Sequence, residues 1–153
     1  MPHTPDTLYL DSNATTHVLP AAIAAATRAM QEQFGNPSSS HSHGLVAKAL
    51  LDQTRATAAQ VVGAGDGHVV FTSGATEGIQ AAVLSALRAI GPRSAGRAPL
   101  LVYGATEHKA VPQALEHWNA VLGLGLELRA LPVDSQGQHD LQVLADWLPD
   151  TAL

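Results

Sequence analysis

The stretch VVFTSGATEGIQ, residues 69–80, changes character in its middle. Its first half is apolar and β-branched, which predicts a short buried strand over residues 68–72. From Thr76 onward Ile79, Val83, Leu87 and Ile90 recur at spacings of four, four and three, the stripe of an amphipathic helix. Between the two stand Ser73, Gly74, Ala75 and Thr76. A strand-to-helix junction needs only a tight turn and a cap, so a run of small hydroxyl and glycine residues invites a second reason. In an open parallel sheet, ligands sit beyond the carboxyl ends of the strands, where loops enter helices. There a glycine lets backbone approach closely, the helix start offers unpaired N–H groups and the positive end of its dipole, and hydroxyls add donors. Such a turn suits a phosphate. The same residues also suit an ordinary helix start, with Thr76 or Ser73 as cap and Glu77 favouring the dipole. SGAT matches neither the P-loop nor the dinucleotide fingerprint.

The rest of the chain extends this pattern. LLVY (residues 100–103) reads as a second buried strand, and GATEH follows it in the position that SGATE holds after the first. Residues 110–122 predict a helix with Ala114, Leu115, Trp118 and Leu122 inward. Leu126, Leu128 and Ala130 then alternate with Glu127, Arg129 and Leu131, giving a third, more exposed strand. VDSQGQHD (133–140) is a turn, and Asp140 caps a short helix carrying Leu141, Leu144 and Leu148. Upstream, Tyr9 and Leu10 open as an extended piece before the polar turn of residues 11–16. Pro20 suits the first turn of an alanine-rich helix reaching Gln33, with Gly35 ending it. FGNPSSSHSHG (34–44) is a loop, and Ser42 is a candidate cap for a helix over 44–62. The inner face of that helix is expected at Val46, Ala49, Leu50, Thr54, Ala58 and Val61, with Gly63 at its end. GPRSAGRAP (91–99) reads as a surface loop. Strand, helix, strand, helix, strand, helix implies parallel pairing through helical crossovers, an α/β doubly wound sheet. Residues 149–153 look like a turn and the first residues of a further strand, so the chain is expected to be a fragment of something longer.

With 153 residues, 46% hydrophobic and 14% charged, the chain is long enough for one domain with a real core. A net charge of -5 and a pI near 5.8 provide no basic surface for nucleic acid or an anionic membrane, and favour small-molecule or protein partners. There is no cysteine, hence no disulfide, thiolate metal site or cysteine nucleophile within this sequence. MPHTPDT at the start lacks the basic and apolar regions of a signal peptide, and no apolar run approaches the roughly 18 residues of a membrane span. A soluble cytoplasmic protein is expected. Among eight histidines, His41 and His43 lie two apart and could join His108 around a metal, but no cysteine or acidic partner stands at ligand spacing nearby, so no metal is expected. His108 follows a buried strand at the ligand-binding edge. A flat ring that stacks or moves a proton is useful there, and a surface histidine that caps the next helix fits the position equally well.

Four segments, YLDSNATT (9–16), FGNPSSSHSHG (34–44), VVFTSGATEGIQ (69–80) and TEHKAV (106–111), resemble in order and spacing the N-terminal part of the cysteine desulfurases. These are the NifS and IscS type of pyridoxal-phosphate enzyme in the class V aminotransferase group. The resemblance implies part of the large domain of a type I, aspartate aminotransferase-like transferase, with a parallel or mixed sheet and flanking helices. It divides the chain into an N-terminal arm and helix over 1–35 and an incomplete cofactor-binding α/β domain over 36–153. It implies that Gly74, Ala75 and Thr76 hold the phosphate of pyridoxal 5′-phosphate, that His108 stacks on the pyridine ring and shuttles protons, and that Asn13 and Ala14 lie near the substrate. The implied reaction converts L-cysteine to L-alanine and leaves the sulfur as an enzyme persulfide for a sulfur-acceptor protein in iron–sulfur or thiolation pathways. The implied assembly is a homodimer. The alternatives are another class V enzyme, such as a selenocysteine lyase, and a non-catalytic truncated paralogue acting as a binding module. The family's Schiff-base lysine, pyridine-nitrogen aspartate, persulfide cysteine and carboxylate-binding arginine would lie beyond Leu153. Lys48 and Lys109 are the only lysines, and Lys109, inside TEHKAV, reads as a helix-start residue. On this reading the polypeptide alone is catalytically inactive.

Overall fold

The computed structural model of the chain describes residues 8–90 and 99–152. The loop expected at 91–99 therefore lies, Pro99 apart, outside the described residues. Contacts divide the chain into two compact units, Met1–Val70 and Phe71–Leu153.

The first unit carries two helices, α1 (Pro20–Glu32) and α2 (Ser42–Val61). Pro20 occupies the first helical position of α1, where its missing N–H costs nothing. None of the α1 side chains is buried. Between the helices, Asn36 Oδ1 accepts the Ser38 N–H at 2.9 Å and the Asn36 carbonyl accepts the Ser39 N–H at 2.9 Å. This tight turn packs on the start of α2, where a Cβ on Gly44 would overlap the carbonyl oxygens of Ser39 and Asn36. Glycine is needed here for space. The expected cap, Ser42, is instead the first helical residue. The extended residue before it, His41, caps α2 by accepting the Gly44 N–H on Nδ1 at 3.4 Å. The expected inner face is also rotated: Gly44 and Ala47 are buried, while Val46 and Val61 are exposed, and the Ser39 turn packs on Gly44.

The second unit holds α3 (Ala75–Ala89), β1 (Leu100–Gly104), α4 (Ala110–Val121), β2 (Glu127–Leu131), α5 (Leu141–Trp147) and a 3-10 turn, Leu148–Asp150. Strands β1 and β2 pair in parallel, Leu100 opposite Glu127 through Gly104 opposite Leu131. On the other side of β1, Thr151 bridges Leu100 in parallel and the Ala152 N–H donates to the Leu100 carbonyl at 2.7 Å. The residues expected to open a further strand thus meet β1 through a single bridge, on the side away from β2. Leu87 of α3, Leu101 of β1 and Leu115 of α4 form the buried core, with Val83, Ile90, Tyr103, Val111, Trp118 and Leu122 against it. Trp118 also donates to Gln80 Oε1 at 2.6 Å, tying α4 to α3.

Asn119 does for β2 what a neighbouring strand would do. Its Nδ2 donates to the Leu126 carbonyl at 2.8 Å and its Oδ1 accepts the Leu126 N–H at 3.0 Å. Asn119→Ala strands both half-buried backbone groups, and is expected to cost about 2 kcal/mol of stability in urea unfolding.

A further sequence expectation is corrected. Residues 68–72 form no strand: they carry no regular secondary structure and no strand pairing among the described residues, with Val70 76% and Phe71 50% exposed. An apolar run reports the wish to be buried, and a strand also needs an edge to bond to, which no described strand supplies. In β2, Leu131 is the one buried residue, and its carbonyl at the strand's end accepts the Ala105 N–H at 3.1 Å.

Candidate active site

The turn at the start of α3 is built so that its donors stay free. Gly74 is the N-cap residue and makes no side-chain cap bond, so neither Ser73 nor Thr76 caps the helix. Thr76 sits at the second helical position with its hydroxyl exposed and engaged by none of the described residues. The N–H groups of Ala75 and Thr76 lie in the first turn, where an α-helix offers no acceptor. A Cβ placed on Gly74 would meet nothing within 4 Å, so the space over the turn is open. One donor is committed: the Ser73 N–H donates to Glu77 Oε2 at 2.6 Å.

Hydrogen bonds from the Ser73 hydroxyl and then its N–H hold the Glu77 carboxyl below its ordinary value of 4.5. A carboxyl depressed by folding stabilises the fold where it is ionised, and that contribution is lost as pH falls through the lowered value. Glu77→Gln is therefore expected to melt below the parent at neutral pH, with the difference closing as the pH is taken below 4.5 in a series of thermal melts. The carboxylate is fully exposed, so the gap is small.

The second turn leaves β1 at Gly104, closes with the Glu107 N–H on the Gly104 carbonyl at 3.0 Å, and delivers His108 to the start of α4. The Ala110 N–H donates to His108 Nδ1 at 3.2 Å. This is the helix-capping role, and it decides the tautomer: with Nδ1 accepting, the neutral ring carries its proton on Nε2. The ring is exposed, so its face and its Nε2–H are both available. Lys109, beside it, is exposed as well.

Asn13 and Ala14 lie in the first unit, at the tip of a turn closed by the Ala14 N–H on the Asp11 carbonyl at 3.0 Å. The Tyr9 hydroxyl sits 3.0 Å from the Asp11 carbonyl and 2.9 Å from that of Thr15, pinning the turn from below. The sequence did not single Tyr9 out for this. Gly74, Ala75, Thr76 and His108 share the second unit, the first three at the start of α3 and His108 just past the carboxyl end of β1, and no hydrogen bond among the described residues joins the two turns. His41 and His43 stand edge to face with ring centroids 6.3 Å apart, and Phe34 stacks on His43. Among the described residues, no three histidines and carboxylates come together as metal ligands.

The class V aminotransferase family matches residues 8–153. The chain belongs to this family. A cysteine desulfurase of Azotobacter chroococcum mcd 1 is 38% identical over 143 residues, 94% of this chain and 34% of the relative. Cysteine desulfurase NifS of Azotobacter vinelandii is 36% identical over 144 residues, with coverages of 94% and 34%. A selenocysteine lyase of Rattus norvegicus is 33% identical over 162 residues, covering 95% of this chain and 37% of its own. The solved structure of a NifS-like protein superposes with a TM-score of 0.75 at 28% identity, over 88% of this chain and 35% of that one. The chain thus spans about a third of the length of these relatives. Its fold is part of the aspartate aminotransferase-like large domain, with parallel strands and flanking helices.

Class V aminotransferases of the cysteine desulfurase kind depend on pyridoxal phosphate. The turn at α3 fits the phosphate of that group: open space over Gly74, first-turn N–H groups without acceptors, and an uncommitted hydroxyl on Thr76 make an anion cradle. The exposed flat ring of His108 fits a second, aromatic contact.

Proposed function

We propose that this chain is the N-terminal part of a pyridoxal phosphate-dependent cysteine desulfurase, cytoplasmic and homodimeric when complete. The observation that carries the proposal is the start of α3, where the first-turn N–H groups of Ala75 and Thr76 have no helical acceptor, the exposed Thr76 hydroxyl is engaged by none of the described residues, and a Cβ on Gly74 would meet nothing within 4 Å. Relatives named cysteine desulfurase, at 36–38% identity, support the choice of reaction. The arm and first helix, residues 1–35, lead into the cofactor-binding domain that begins with residues 36–153.

The cofactor supplies an electron sink for bonds broken at the substrate's α-carbon. The chain's own residues bind and orient. The N–H groups of Ala75 and Thr76 and the Thr76 hydroxyl hold the phosphate with the positive end of the α3 dipole behind them. Glu77, tied back on Ser73, fixes the turn's shape and keeps its charge on the Ser73 side. His108, anchored through Nδ1, would present Nε2 as the atom that holds and moves a proton, and its exposed ring would offer the cofactor an aromatic face. Asn13 and Ala14 are assigned to the substrate by the family resemblance alone. L-Cysteine loses its sulfur to an enzyme thiol, which becomes a persulfide, and leaves as L-alanine; the sulfur then passes to an acceptor protein. These 153 residues hold no cysteine, so the thiol comes from outside them, and the chain by itself is inactive.

A second reading, selenocysteine lyase, is favoured by the relative at 33% identity. Turnover of L-cysteine and of L-selenocysteine by the complete enzyme separates the two. Alanine formed from L-cysteine together with protein-bound persulfide supports the desulfurase. Alanine formed from L-selenocysteine alone identifies the lyase, and turnover of neither leaves the binding-module reading.

A further inference from the structure

His139 carries, at Nε2, the one buried side-chain nitrogen or oxygen among the described residues that has no hydrogen-bond partner. Neither the core nor the proposed chemistry uses it. Its place in the fold is specific. After β2, the Asp134 N–H donates to the Gln138 carbonyl, the Asp140 N–H to the Pro132 carbonyl, and His139 bridges Val133. This short hairpin folds back and lays the imidazole on Gly104, the last residue of β1. A Cβ on Gly104 would stand 2.6 Å from His139 Nε2 and 3.3 Å from Cε1, with Glu107 Cγ at 3.5 Å. Gly104 has an ordinary backbone conformation, since it is not among the positive-φ glycines. What the glycine provides is therefore room for the ring and not a left-handed turn.

Gly104 is also where the His108 turn begins. Its carbonyl accepts from Glu107, and the next residue, Ala105, is held by Leu131 at the end of β2. The turn is thus gripped on one side by β2 and on the other by the imidazole. We infer that His139 is a positioning residue: packed on Gly104, its ring sets the turn that presents His108. An enclosed polar nitrogen without a partner costs stability, and closeness to Gly104 gives that unfavourable placement a purpose. The inference rests on the proposed role of His108, while the geometry it predicts can be read without any cofactor.

The test is a compensation cycle on the full chain labelled with [13C]histidine: Gly104→Ala, His139→Ala and the double variant, compared at one pH by ring correlations of His108 and amide signals of residues 105–110. Gly104→Ala is expected to displace the His108 signals, because its Cβ and the ring claim the same space. The double variant is expected to return them toward the parent, because the new methyl enters the vacated volume. Residues of α2 are the control and stay put. A general loss of stability would lower the melting temperature of every variant without this reciprocal pattern. His108 signals unmoved by Gly104→Ala, or as displaced in the double variant as in the single one, overturn the inference. Should Gly104→Ala not fold, His139→Ala alone must still move the His108 signals, and unmoved signals there overturn it equally. Pyridoxal phosphate affinity of the same variants is read separately, so compensation without cofactor binding would refute the proposed function and leave the positioning role standing.

Discussion

His108→Ala in the complete enzyme is expected to lower kcat for L-cysteine by about a hundredfold to ten-thousandfold, the usual contribution of a placed general acid or base, with KM changed much less. The ring supplies both a proton-carrying Nε2 and an aromatic face, and alanine supplies neither. Alanine also deprives the Ala110 N–H of its acceptor, so the start of α4 is disturbed as well. His108→Gln separates the two effects: its side-chain oxygen can keep the cap while no titratable nitrogen remains. Steady-state kinetics should therefore show the glutamine variant nearly as impaired as the alanine one, with a melting temperature close to the parent's. Near-parental turnover in His108→Gln would reduce the residue to a cap.

Leu101→Ala is expected to cost about 3–5 kcal/mol in urea unfolding, the range for a leucine removed from a core that cannot collapse. Leu101 has no exposed surface, lies in β1, and belongs with Leu87 and Leu115 to the cluster that joins α3, β1 and α4. Against a typical domain stability of about 5–15 kcal/mol, this is a large fraction. Leu141→Ala is the contrast: Leu141 is 70% exposed, and its loss should stay within about 0.5 kcal/mol. Equal effects at the two positions would mean that the core is not where the structure puts it.

What the sequence made legible was whatever is written locally. The stripe Ile79, Val83, Leu87, Ile90 yields α3, the inward set Ala114, Leu115, Trp118, Leu122 yields α4, and Asp140 caps α5 by accepting the N–H groups of Gln142 and Val143. The turn before α3 was legible as the start of a helix for the same reason, since its small residues precede the stripe directly. Errors came where the answer depends on a distant neighbour. Nothing in VVF says whether a strand edge is present to pair with it. The rotation of α2 accompanies the packing of Ser39 and Asn36 on Gly44, a contact that helical periodicity does not contain. His139 was invisible as a site residue, because its significance is the missing side chain of Gly104, thirty-five residues earlier.

The measurement that bears most directly on the central claim is equilibrium binding of pyridoxal 5′-phosphate and of phosphate-free pyridoxal to the complete enzyme and to its Thr76→Ala variant. A hydroxyl donating to a phosphate is worth about 1.5–3 kcal/mol. The account therefore predicts that Thr76→Ala weakens pyridoxal 5′-phosphate about tenfold to a hundredfold and leaves pyridoxal affinity as it was. Equal affinity of parent and variant for pyridoxal 5′-phosphate would contradict it, and the start of α3 would be an ordinary helix start.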